Sequence, residues 1–197
     1  MKSKKSSGGT PPYGQITAVG RQPLVEHSLK ALEHVLAEAG KRVTAKSMAV
    51  YTEHPYCVGS ITFAAGQRAV NTVLFTDESA CPYEQQWLQT CTTLVLPYDE
   101  MRKQRLEEKE KEKIVEYSHN DDRADLVAKN ITQTAEHINF ELVGTGLIGR
   151  IKLKEGCGLS VENALALAGA LLASDIALKE IANGLSTLES LAAFAQF

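Results

Sequence analysis

Between Pro23 and Gly40 the apolar positions Val25, Leu29, Leu32, Leu36 and Ala39 recur at alternating steps of four and three, which places them on one helical face. Proline suits a first helical turn and glycine a C-terminal cap, so the pattern predicts a helix over this span. Three β-rich runs follow, 43–52, 56–64 and 68–76, separated by His54-Pro55 and Gly66-Gln67. In the second run Val58, Ser60 and Thr62 alternate with Gly59, Ile61 and Phe63, the period of a strand with one face on a core. The three read as an antiparallel β-meander, with the first helix over its apolar face.

Residues 82–91 predict a short helix, and 92–96 (TTLVL) a strand ending at Pro97. From Tyr98 to Tyr117 helix formers dominate, but Glu107 to Lys113 (EEKEKEK) offers no apolar side chain to a core. Pairs such as Glu107 with Lys111 can hold such a helix in water. After a turn at 118–122, Ala124, Val127, Ile131 and Ala135 lie at helical spacing. Residues of about 98–136 therefore predict an exposed helical arm of two antiparallel helices. Beyond it, Ile138, Phe140 and Leu142, and then Leu147, Ile151 and Leu153, alternate with polar positions about Gly144-Thr145-Gly146, the pattern of a β-hairpin. Ser160 can cap an Ala/Leu-rich helix, and Ser186-Thr187-Leu188-Glu189 has the capping-box pattern, so a further helix is expected after Asn183-Gly184. The fold class is α+β: an N-terminal helix on a meander, a helical arm, a hairpin and C-terminal helices. The expected organisation is a flexible tail over 1–14, rich in Lys, Ser, Gly and Pro, and one domain over 15–197.

At 197 residues and 44% hydrophobic the chain is long enough to bury one sizeable core. A net charge of −3 advertises no polyanionic partner, so nucleic acid has no support. The cysteines at 57, 81, 91 and 157 include no close pair of the kind that binds zinc, and neither a metal nor a cofactor is expected. The lysines near Met1 lead into Ser and Gly rather than a secretory apolar stretch, and 163–174 is too short to span a bilayer. The expected compartment is the reducing cytoplasm, with free thiols. Gly144-Thr145-Gly146 with Gly149 precedes a strand rather than a helix, which removes it as a phosphate loop. Asp77-Glu78 reads as a pair of solvated turn residues.

Three kinds of function remain, one of them a ligand-binding regulatory domain with its pocket between the sheet and the C-terminal helices, for which only the fold speaks. Cys157 lies between two glycines shortly before a helix cap, and a hairpin centred on Thr145 sets residue 137 opposite 153, which brings His137 near it; such a pair is the minimum for thiol catalysis. Against this stand the lack of any polar constellation, the all-polar arm, and an apolar stripe of Leu188, Leu191, Phe194 and Phe197 at steps of three. Aromatic residues at a chain end suit anchoring in a neighbouring subunit. The order of elements over about 23–175 also resembles that of small α+β adaptors such as the type III secretion chaperones, a likeness of element order alone. The expectation is thus a non-catalytic adaptor or assembly subunit of a homo- or hetero-oligomer. The stripe would contact other protein subunits, and a thiol enzyme using Cys157 and His137 is the alternative.

Overall fold

The computed structural model describes residues 13–50, 56–65, 69–144 and 146–191, with the side chains of 103 and 104 excepted. Nine strands form one mixed sheet: β1 (Tyr13–Gly20), β2 (Val43–Val50), β3 (Cys57–Ala64), β4 (Val70–Phe75), β5 (Thr93–Pro97), β6 (Ile114–Ser118), β7 (Leu126–Gln133), β8 (His137–Gly144) and β9 (Leu147–Lys154). Their spatial order is β2-β3-β1-β4-β5-β6-β7-β8-β9. The pairings from β1 through β4, β5 and β6 to β7 are parallel, and each end of the sheet carries antiparallel pairings, β1–β3–β2 and β7–β8–β9.

Six α-helices complete the described chain: α1 (Gln22–Glu38), α2 (Glu84–Leu88), α3 (Arg102–Arg105), α4 (Glu108–Lys111), α5 (Val161–Ala173) and α6 (Leu178–Thr187), with a 3-10 helix at Glu78–Tyr83. Helices α1, α5 and α6 pack on one face and share a large apolar core with the sheet. The 3-10 helix and α2 cover part of the other face over a smaller cluster. Parallel strands buried on both faces show unbroken apolar runs: in β4, Leu74 faces the large core while Val73 and Phe75 face the small one.

One mixed sheet with helices packed on it agrees with the α+β reading, but the details change. The predicted meander does not form, because β1, a strand not expected from the sequence, inserts between β3 and β4. The helical arm over 98–136 is replaced by α3, α4, β6 and β7. Leu126, Val127 and Ala128 are buried together at the start of β7, so that strand shows no alternation. Asn130 then adopts φ 51° where the pairing with β8 shifts register, which leaves Ile131 43% exposed and produces the misleading helical spacing. The hairpin is present one position off the expected register, with His137 opposite Lys154. Helix α6 runs through Asn183-Gly184 instead of breaking there, since Gly184 faces the backbone of Val35 in α1 and a Cβ would lie 2.9 Å from its Cα.

Candidate functional site at the carboxyl edge of the sheet

Because β1, β4, β5 and β6 run parallel, their carboxyl ends share one edge, the place where doubly wound sheets bind ligands. Gly20 ends β1 there, Thr76-Asp77 follow β4, Tyr98-Asp99 follow β5 and His119 follows β6. Helix α5 begins at the same edge: Ser160 Oγ accepts from the Asn163 amide at 3.1 Å, and Asn163 Nδ2 donates to the Thr76 carbonyl at 3.3 Å.

The β1–α1 junction is a single residue, Arg21, which is the N-cap of α1. Its amide donates to Asp77 Oδ2 at 2.9 Å, its Nε lies 3.5 Å from the same oxygen, and the Ser79 amide donates to Asp77 Oδ1 at 2.8 Å. Burial alone would raise the Asp77 pKa, but hydrogen bonds from Ser79 and Arg21, with the charge of Arg21, hold it below the ordinary carboxylate value. Gly20 adopts φ +155°, and a Cβ there would lie 2.1 Å from Thr76 Oγ1, so only glycine lets the chain pass. Asp77 is thus a cap with a 13% exposed side chain, not the solvated turn residue expected.

Beside it, between the segments that follow β4 and β5, lies a cavity of about 900 Å³. Its charged walls are Glu78, Glu84, Asp99, Glu100, Arg102 and Arg105, four carboxylates against two guanidiniums. Both guanidiniums are engaged. Arg105 binds Asp99 at 2.6 Å. Arg102, 2% exposed, donates to Glu84 at 2.8 Å, to Glu116 at 2.6 Å and to the Pro97 carbonyl at 2.7 Å. Glu100 accepts from Arg123, which lies over the Tyr98 ring at 5.3 Å, while Glu78 has no ion-pair partner among the described residues. The cavity therefore keeps an excess of negative charge. Burial pushes the Cys81 thiol on its wall up to about 11, against the pull of Arg102, so the thiol stays protonated near neutrality.

The residues singled out from the sequence lie elsewhere. Cys157 is 1% exposed in the large core, between glycines at φ +75° and +92° that form a turn. His137 is not hydrogen-bonded to it; its Nδ1 lies 3.8 Å from Glu136. Leu188 and Leu191 are buried in this chain's own core, at 3% and 2% exposure, and Phe194, Phe197 and the tail residues 1–12 lie outside the described residues. Among the described residues no cluster of three His, Cys, Asp or Glu could hold a metal ion, and no helix is long and apolar enough to cross a membrane. The residues the sequence reading missed are Arg102, Glu84 and Glu116. The one available signal was an arginine five residues past the proline that ends a strand.

No family model and no curated protein matches the chain. Among solved structures it is similar to a pseudomurein peptide ligase type C from Methanothermus fervidus, with TM-score 0.57 and 12% identity over 91% of this chain and 50% of that one. It is also similar to a UDP-N-acetylmuramoyl-L-alanyl-D-glutamate–2,6-diaminopimelate ligase, with TM-score 0.59 and 11% identity over 89% of this chain and 46% of that one. The chain spans about half the length of these structures, and what it shares with them is the fold. The expectation of a non-catalytic adaptor is corrected by this likeness: the architecture is one found in ligases, and the chaperone-like order of elements is lost with the meander.

Proposed function

We propose that this chain is a ligase-type domain that binds an amine-bearing polar substrate, an amino acid or short peptide, in the acidic cavity at the carboxyl edge. The observation that carries the reading is the excess of carboxylates around a cavity of about 900 Å³, large enough for such a molecule. An ammonium group entering between Glu78 and Glu100 meets the charge of Glu78, which no arginine pairs among the described residues, and a Glu100 already shared with Arg123, and the buried Arg102 network fixes the wall behind it. One neighbour in fold is named for 2,6-diaminopimelate, an amine-bearing molecule, which supports the same class of substrate.

Joining an amine to a carboxylate requires an activated carboxyl group. In doubly wound sheets the usual seat for an activating phosphate is the turn from the first strand into its helix. The residues here do not fit one. The Arg21 amide is bonded to Asp77, Pro23 has no amide hydrogen, and the amides of Leu24 and Val25 bond the Arg21 carbonyl. Binding and orienting the amine are therefore the roles assigned to this chain's residues, and no activation step is.

Titration calorimetry with lysinamide, a dication without a carboxylate, tests the reading. Binding is expected to weaken with salt, and Glu78→Gln and Glu100→Gln are each expected to lower affinity by up to about tenfold. Equal binding of lysinamide and its fully acetylated form, or binding of neither, defeats the proposal.

A further inference from the structure

We infer that Asp77 is a tethered anion filling the phosphate seat of the β1–α1 turn, so that this chain takes no nucleotide phosphate there. Three observations converge. The leading donor of the turn is used: the Arg21 amide holds Asp77 Oδ2 at 2.9 Å, while the Ser79 amide, from the segment after β4, fixes the other carboxylate oxygen at 2.8 Å. The space is used as well, for Gly20 passes so close that the Thr76 hydroxyl and the Asp77 carboxylate lie 2.1 and 2.8 Å from where its Cβ would stand. The charge is used too, since the Arg21 guanidinium, which would otherwise face a phosphate, lies 3.5 Å from Asp77.

A carboxylate from the end of β4 thus does for the start of α1 what a bound phosphate does elsewhere. It satisfies the N-terminal amide and sets a negative charge against the positive end of the helix dipole. A phosphate approaching the wild-type turn meets a fixed negative charge on the Arg21 amide that would have donated to it. If the chain takes part in ligation, its carboxyl partner is not activated at this turn. The inference does not depend on what the neighbouring cavity binds.

The experiment uses the full chain and its Asp77→Asn and Asp77→Ser variants. Unfolding midpoints are measured in inorganic phosphate and in chloride at equal ionic strength, with Glu78→Gln as a control for binding in the cavity. Phosphate is expected to raise the midpoint of both Asp77 variants saturably and to leave the wild type and the control unchanged. A separate titration of wild type with magnesium and ATP is expected to show no binding that inorganic pyrophosphate displaces. The inference is overturned if wild type binds ATP in a way that pyrophosphate displaces and Arg21→Gln weakens, or if both variants fold and neither responds to phosphate. Should a variant fold only when phosphate is present, the inference is supported; should neither fold in either buffer, the wild-type nucleotide titration decides it. Failure of lysinamide to bind would leave each of these results intact.

Discussion

The two faces of the sheet are built on opposite principles. Under α1, α5 and α6 the packing is apolar and uncharged, its few buried hydroxyls paired as in Thr72 with Ser174: α5 buries eight consecutive residues from Ala164 to Leu171, and small residues let elements approach, as where Gly169 faces Val95 and Leu126. On the other face the cover is thin, made of short helices, and its largest fully buried side chain is an arginine. Arg102 sits there between Glu84 and Glu116, groups that cost free energy to remove from water and that hold together only as a set. The difference shows a division of labour. One face stabilises the sheet, and that stability lets the other carry buried charge beside an open cavity.

The largest effect should come from breaking the charged set. Arg102→Met keeps volume but removes the guanidinium that Glu84 and Glu116 share, and the expected loss is about 3–5 kcal/mol in urea unfolding. A loss under about 1 kcal/mol would mean that solvent reaches these carboxylates, and the contrast between the faces would then be one of shape alone. On the apolar face the matching change is Gly184→Ala. The new Cβ meets the Val35 backbone at 2.9 Å, which only a shift of α6 against α1 can relieve, at a cost of about 1–3 kcal/mol. If that variant were as stable as wild type, the helix pair would be looser than its packing indicates.

The mildest probe is chemical. Cys81, with its pKa raised to about 11, should react slowly with iodoacetamide near neutrality, and its rate should climb with pH toward that value. The linkage has a definite sign. The unfolded thiol ionises first, near its ordinary value of 9.0, so Cys81 withdraws stability as pH rises from there to about 11 and is without effect below. Fast alkylation at neutral pH would show that the cavity wall is wetter and more basic than its structure implies.

What the sequence made legible follows the same division. Helix α1, the β2–β3 and β8–β9 hairpins and the Ser160 cap of α5 were all readable, because each rests on local periodicity or on one capping side chain. The charged site was not, because its parts at 81 and 84, at 102 and at 116 come from three separate segments and meet only through parallel pairing. Arg102 also stands in a run of exposed charges, where composition cannot distinguish the one side chain that turns inward. Strand β1 escaped for a related reason: Thr17 is buried beside Ile16, Ala18 and Val19, so no alternation marks it. Gly184 was read as a helix break, although its lack of a side chain serves a close helix crossing.

The insertion of β1 between β3 and β4 also sets an order of events during synthesis. Gly20 pairs with Cys57, Tyr13 with Ala64 and Val19 with Phe75, so the neighbours of β1 lie 37 to 56 residues further along the chain. The β2–β3 hairpin can form by itself, and only then does an edge exist onto which β1 can dock, with β4 closing over its far side. Until that point an apolar strand with both edges open trails from the ribosome, the kind of segment that pairs with the wrong chain. The rate at which the hairpin closes therefore governs how long β1 stays unpaired.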